Sequence, residues 1–220
     1  MNEHVARLNR LDACAVSDAL DKLGLPGVVT GIHRLATDRR IAGRVLTVKL
    51  SPVQAAVTST RHLSTAAIEA ASPGDIIVVE QRTGIDAAAW GGVLSRGAKL
   101  REVAGVICEG PARDVDESRQ LDFPVFARNH TARTARGRIV ETGTNVPITV
   151  GDVAVSPGDY VIADASAVVF VTQGEIARVL DAAEAIARRE AAMVEALHAG
   201  KRISEVMGAN YEQMLEPHAK

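Results

Sequence analysis

SPGDIIVVEQRTGIDAAAWGGVLSRGAKLREVAGVICEGPARD, residues 72–114, is the stretch whose reading decides the fold. It opens on the turn Ser72-Pro73-Gly74-Asp75 and passes into Ile76-Ile77-Val78-Val79, a continuous apolar run of the kind buried on both faces of a sheet. The spacing predicts a helix from about Gly92 to Val103, then a second apolar strand at Gly105-Val106-Ile107-Cys108. Strand, helix and strand in this order make a βαβ unit, so the class expected is α/β.

On the N-terminal side, Val5, Leu8, Leu11, Ala15, Val16, Ala19, Leu20 and Leu23 recur at helical spacing until Gly24 and Pro26 stop them. Ile41 to Leu50 reads as a strand, and the Ala-rich residues 61–71 as a helix. On the C-terminal side, Pro124–Ala127 reads as a strand. Short strands then follow at Ile139–Glu141, Pro147–Val150, Val153–Val155, Val161–Ile162 and Val168–Val171, parted by Gly-Asp and Ser-Pro-Gly-Asp turns. A long helix from about Gly174 to Ala199 carries an apolar stripe that Glu190 interrupts. Nothing reads as a linker, so one domain is expected over residues 1–220.

Composition narrows the function. A net charge of −2 gives no reason to expect a nucleic-acid or membrane-surface partner, and an aromatic content of 3% is too low for base-stacking platforms. Cys14 and Cys108 make neither a zinc spacing nor a disulfide framework. The charged, amphipathic start does not read as a signal peptide, and no run approaches the roughly 20 apolar residues of a membrane helix. A cytoplasmic protein is expected.

Two places can carry chemistry. Trp90-Gly91-Gly92-Val93-Leu94 brings two glycines to a helix start, where the first N–H groups lack internal partners and a carboxylate or phosphate can approach; read blandly, the glycines only turn the chain. Glu109-Gly110-Pro111-Ala112-Arg113-Asp114 follows a strand's carboxyl end, where open α/β sheets place ligands. Arg113 can grip an anionic oxygen and Asp114 a hard cation, although Asp114 can equally be a helix N-cap beside a surface arginine. The basic segment Arg128–Arg138 reads as a solvated loop or as cover for a substrate's distal carboxylate. Lys49 and Lys99 are the candidates for Schiff-base chemistry, but neither has a motif.

The stretch WGGVLSRGAKLREVAGVICEGPARDVDES, residues 90–118, resembles the signature region of the RraA-like family. That family includes 4-hydroxy-4-methyl-2-oxoglutarate and 4-carboxy-4-hydroxy-2-oxoadipate aldolases and regulators of ribonuclease E. VSDALDKLG, FPVFAR, VAVSPGDYVIAD and the final helix are similar as well, and the most specific piece is Gly110-x-x-Arg113-Asp114. The resemblance implies a compact α/β/β swivelling fold of the phosphohistidine-domain type, with an N-terminal helical segment and a long C-terminal helix. It implies that Asp114 binds Mg2+ or Mn2+, that Arg113 holds the oxo group of pyruvate and its enolate, and that the amides at Val93 and Leu94, in the Gly91–Leu94 cradle, receive the substrate carboxylate. The family's aldolases carry an acidic residue where this chain has Gly92; Asp86 and Glu109 lie near enough in sequence to compensate. By the same resemblance Glu190 reaches a neighbouring subunit's metal site, an inter-helix or inter-subunit salt bridge being the plainer reading. The implied activity is a lyase that releases pyruvate from a 4-hydroxy-2-oxo acid, or decarboxylates oxaloacetate, in a homotrimer or homohexamer. The alternatives are a non-catalytic regulator that binds a protein such as ribonuclease E, and a different small-acid enzyme on the same scaffold.

Overall fold

The computed structural model describes residues 2–53 and 61–208. The chain begins with α1 (Glu3–Leu8) and α2 (Ala13–Leu23), then β1 (Val28–Val29), β2 (His33–Ala36) and the long β3 (Ile41–Pro52). Next come α3 (Thr65–Ala70), β4 (Ile76–Glu80), α4 (Gly92–Leu100), β5 (Gly105–Ala112), α5 (Val115–Gln120) and β6 (Val125–His130). The strands β7 (Ile139–Thr144), β8 (Ile148–Val150), β9 (Val153–Val155), β10 (Tyr160–Ala163) and β11 (Val168–Val171) precede α6 (Ile176–His198) and α7 (Ile203–Val206).

Strands β3, β4, β5 and β6 pair in parallel, and this central unit places the site. Antiparallel strands extend it on both sides, in the order β1-β11-β10-β3-β4-β5-β6-β2, while β7 pairs with β3. The length of β3 explains the curl. Residues 41–44 pair with β10, residues 45–49 with β4, and residues 48–52 with β7, so one strand joins three neighbours.

Alternation along the parallel strands feeds two cores. Ile77, Val79, Val106, Cys108, Val125 and Ala127 face the layer with Trp90 and Phe123. Ile76, Val78, Ile107 and Phe126 face Ile148 and Val150 of β8. A third core joins α1, α2 and α6 to β10 and β11 through Leu8, Val16, Leu20, Val179 and Leu180. Continuous apolar strands covered on both faces are what a parallel sheet requires.

Three local differences from the sequence reading have physical causes. The single N-terminal helix is two, because the Asp12 carboxylate accepts from the Ala15 N–H at 2.8 Å and starts α2 afresh. The helix expected from residue 61 starts at Thr65. Ser64 adopts a left-handed φ of 65° and donates its N–H to the Glu141 carboxylate at 2.5 Å. Gly110-Pro111, expected as a turn, lies inside β5 at a register shift against β6. Proline lacks an N–H and fits such an irregularity. A Cβ on Gly110 would stand 2.8 Å from both Cβ and the carbonyl oxygen of Gln81, so glycine is what allows β5 to continue there.

Candidate active site

The extension of β5 builds the site. Ala89 donates its N–H to the Pro111 carbonyl at 2.8 Å, and Arg113 donates its own to the Trp90 carbonyl at 2.9 Å. These bonds zip residues 89–90 against the end of β5 and set Gly91-Gly92 beside Arg113-Asp114. Trp90 fixes the junction from below. Its ring stacks on Phe123 at 6.4 Å between centroids, and its indole N–H donates to Ser95 Oγ at 2.9 Å. Ser95 in turn meets Ser118 Oγ at 2.9 Å, which ties α4 to α5 through a buried polar chain.

Asp114 stands at the N-cap position of α5, yet its side chain makes no cap bond. It sits at φ 55°, ψ 41°, a left-handed conformation that aspartate tolerates better than most non-glycine residues. From there its Oδ2 accepts from the Gly92 N–H at 2.9 Å and from Arg113 Nε at 3.2 Å. The capping explanation of Asp114 therefore fails: the carboxylate turns back toward the start of α4.

At that helix start Ser95 donates its N–H to the Gly91 carbonyl at 3.0 Å and Gly92 donates to Asp114. The Val93 and Leu94 N–H groups have no acceptor among the described residues. Two parallel donors at the positive end of a helix dipole suit a carboxylate.

Both glycines leave space that acidic side chains occupy. A Cβ on Gly91 would lie 2.9 Å from Asp114 Oδ2, and one on Gly92 would lie 2.0 Å from Glu117 Oε2. The Glu117 carboxylate thus occupies the place where a side chain at position 92 would emerge. Arg96 holds its other oxygen at 3.3 Å. Asp86 and Glu109, the compensating acids suggested by sequence, do not serve. Asp86 pairs with Arg133 at 3.2 Å, and Glu109 is buried against Arg128 at 2.9 Å. Sequence reasoning misses Glu117, although its position three residues after Asp114 on a helix start is an available signal.

A cavity of about 160 Å³ opens here, lined by His62, Leu63, Ala88, Trp90, the Gly91–Leu94 cradle, Arg113, Asp114 and the turn Thr134-Ala135-Arg136. A larger cleft of about 740 Å³, bounded by Arg40, Arg44 and Asp75, lies at the opposite, N-terminal ends of β4 and β5. Open α/β sheets bind ligands at carboxyl ends, and the smaller cavity alone contains the helix-start donors.

A model of the RraA-like family, described as Aldolase/RraA, matches residues 13–170. The chain belongs to this family. Among its RraA-like relatives, a protein of Halalkalibacterium halodurans provisionally named 4-hydroxy-4-methyl-2-oxoglutarate aldolase is 31% identical over 186 residues, 83% of this chain and 82% of its own. DlpA of Legionella pneumophila is 25% identical over 199 residues. These are 90% of this chain but 32% of DlpA, so the chain spans about a third of that protein. Among solved structures, an uncharacterized protein from Pseudomonas syringae superposes with a TM-score of 0.83 at 26% identity, covering 93% of this chain and 96% of that one. Streptomyces coelicolor RraAS2, described as an unusual member of the RNase ES inhibitor RraA family, superposes at 0.78 with 25% identity, covering 86% and 94%.

The remaining candidate residues of this RraA-like chain lie elsewhere. Glu190 stands on α6 outside the cavity, and no arginine pairs with it among the described residues. Burial, then the neighbouring Asp12 and Asp18, push its carboxyl above the usual range. A raised native pKa means that the native state binds the proton more tightly than the unfolded chain. Stability from this group is full below the unfolded pKa and is lost as pH rises through the folded one. Glu190→Gln is therefore expected to raise the melting temperature at pH 7, with the gain shrinking toward pH 4; a gain independent of pH would show that burial of the charged form is not its source. Lys49 pairs with Glu80 at 3.6 Å and Lys99 donates to the Leu121 carbonyl, so neither lysine reaches the cavity. Cys108 is buried, which pushes its thiol far above the ordinary range and makes it inert. Among the described residues, no helix is long and apolar enough to cross a membrane.

Proposed function

We propose that this chain is a divalent-metal-dependent lyase that releases pyruvate from a small 4-hydroxy-2-oxo acid, or from oxaloacetate by decarboxylation. The observation that carries the reading is the convergence of Asp114, Glu117 and Arg113 on a helix start with two open N–H groups. Among the described residues no third metal-binding side chain joins the two carboxylates. Two carboxylates fit Mg2+ or Mn2+, hard cations that keep several waters of their own. When bound, such a cation supplies Lewis acidity at the substrate's oxo oxygen.

The chain's own residues do the rest. The Val93 and Leu94 amides hold the C1 carboxylate, and Arg113 donates to the C2 oxygen. As the C3–C4 bond breaks, its electron pair forms the enolate, and the negative charge grows on the oxygen that Arg113 faces. A donor aimed at charge that develops only in the transition state lowers the barrier rather than merely tightening binding. In an aldol cleavage the 4-hydroxyl proton passes to a water in the cavity, from which C3 later takes one, and C4 becomes a carbonyl; in decarboxylation C4 leaves as carbon dioxide. Protonation of C3 then gives pyruvate in both cases.

The assembly that suits this reading is a homotrimer, or two stacked as a homohexamer, on a swivelling α/β/β scaffold. Its support is α6, whose burial ends at Ile186 while Met193, Val194 and Leu197 continue the apolar stripe beyond it. In such an assembly Glu190 of one copy would face the metal site of another.

The test is pyruvate release from 4-hydroxy-4-methyl-2-oxoglutarate and from oxaloacetate, with Mg2+ or Mn2+ and with chelator, beside Asp114→Ala. Turnover that needs metal and vanishes in the variant is expected. No turnover from the folded, metal-loaded protein would overturn the reading in favour of a regulator that binds a protein partner.

A further inference from the structure

The turn Thr134-Ala135-Arg136 lines the same cavity as the Gly91–Leu94 cradle. The four arginines on and around this turn differ sharply from one another. Arg128 forks onto Glu109 at 3.0 and 2.9 Å, Arg133 pairs with Asp86 at 3.2 Å, and Arg138 donates to the Thr134 carbonyl at 3.1 Å. The guanidinium of Arg136 alone in this group has no partner among the described residues. Its backbone, by contrast, is held. The Arg136 N–H donates to Thr134 Oγ1 at 3.3 Å, the Arg138 N–H to the Ala135 carbonyl at 2.9 Å, and Ala88 ties the loop in through the Arg133 carbonyl at 3.0 Å. An uncommitted cation on a fixed turn therefore overlooks the cavity.

Charge balance says what it is for. On the floor, Arg113 offsets Asp114 and Arg96 offsets Glu117, and the positive charge of a bound cation would be taken up there by the first carboxylate and the oxo oxygen, which leaves Arg136 as the cation for a second carboxylate. A substrate anchored at Val93 and Leu94 by one carboxylate would carry any second carboxylate to another part of the same lining, to which Arg136 belongs. A cavity of about 160 Å³ is smaller than the roughly 300–1,000 Å³ typical of drug-sized ligands, so the occupant is a small acid.

We propose that Arg136 is the receptor for the second carboxylate of a dianionic oxo acid, and the residue that makes this site prefer dicarboxylates to monocarboxylates. The inference rests on the lyase reading of the same site. A planar guanidinium is suited to a carboxylate in two-point contact, and a charge-assisted pair is stronger than a neutral one. Because Arg136 is exposed, salt screens the preference, which therefore declines as ionic strength rises.

The experiment is calorimetric titration of the full, Mg2+-loaded chain with 2-oxoglutarate and with 2-oxopentanoate, five-carbon acids that differ in the distal carboxylate. The wild type is expected to prefer 2-oxoglutarate by about fivefold. Arg136→Gln is expected to bring the two within twofold while leaving 2-oxopentanoate binding unchanged, and Arg136→Lys to restore part of the difference. Equal binding of the two acids by the wild type, or an Arg136→Gln variant that keeps the preference, would overturn the proposal and leave the lyase reading standing. If the folded, Mg2+-loaded wild type binds neither acid, the lyase reading falls and takes this proposal with it.

Discussion

If Glu117 shares a cation with Asp114 as proposed, Glu117→Ala is expected to weaken Mn2+ binding by at least about a hundredfold, because even outer residues of metal sites cost ten- to a hundredfold. Space at Gly92 is the reason. A Cβ there would overlap Glu117 Oε2 at 2.0 Å, so position 92 and the tip of Glu117 compete for one volume. Gly92→Ala should consequently displace the Glu117 carboxylate, and metal affinity should fall with little loss of stability, since only the end of a half-exposed side chain must move. The converse follows. Gly92→Asp combined with Glu117→Ala puts a carboxylate back into the same volume from the other side, and should recover at least a tenth of the wild-type affinity. Mn2+ titration followed by electron paramagnetic resonance reads this without reference to turnover. A Glu117→Ala variant that binds Mn2+ as the wild type does would show that the carboxylate only pairs with Arg96, which it meets at 3.3 Å.

That exchange between two positions shows why part of the site is legible in the sequence and part is not. The βαβ unit around residues 76–108 is readable because apolar runs and helical periodicity are local signals, and β4, α4 and β5 stand where they indicate. Arg113 and Asp114 stand out because they follow a strand, and that strand runs four residues further than its apolar part, to Ala112. Polar Glu109 and the Gly110-Pro111 pair hide the continuation. They look like a turn, but a glycine that lets the backbone approach Gln81 and a proline at a register shift are compatible with a strand. The role of the glycines is the hardest to read. The space they leave is filled by Asp114 and Glu117, residues 22 and 25 positions after Gly92, and only the tertiary fold brings them there. The unpaired Arg136 lies in a run of arginines that looks uniform in sequence; its neighbours become distinguishable only in three dimensions, where Asp86 and Glu109 claim two of them.

Arg113→Lys is expected to lower kcat by roughly 10²–10³, the cost of losing one well-placed oxyanion donor, and so to be nearly as damaging as Arg113→Ala. Conservation of charge does not help because the guanidinium does two jobs at once. Nε donates to Asp114 Oδ2 at 3.2 Å, which leaves the two terminal nitrogens for the substrate's oxo oxygen. A lysine has three donors but on a single nitrogen, and cannot reproduce the planar fork that separates the contact with Asp114 from the contact with the enolate. The backbone is anchored independently, through the Arg113 N–H to the Trp90 carbonyl at 2.9 Å, and the side chain is 37% exposed. The fold should therefore survive, with a melting temperature within about 2 °C of the wild type, as expected for a change away from the core. Because the contact strengthens as the enolate forms, kcat should fall far more than KM rises. A lysine variant retaining more than about a tenth of wild-type kcat would mean that positive charge suffices and that the fork geometry is unnecessary. A loss confined to KM would place Arg113 in ground-state binding, and the growing charge on the C2 oxygen would then need a different donor.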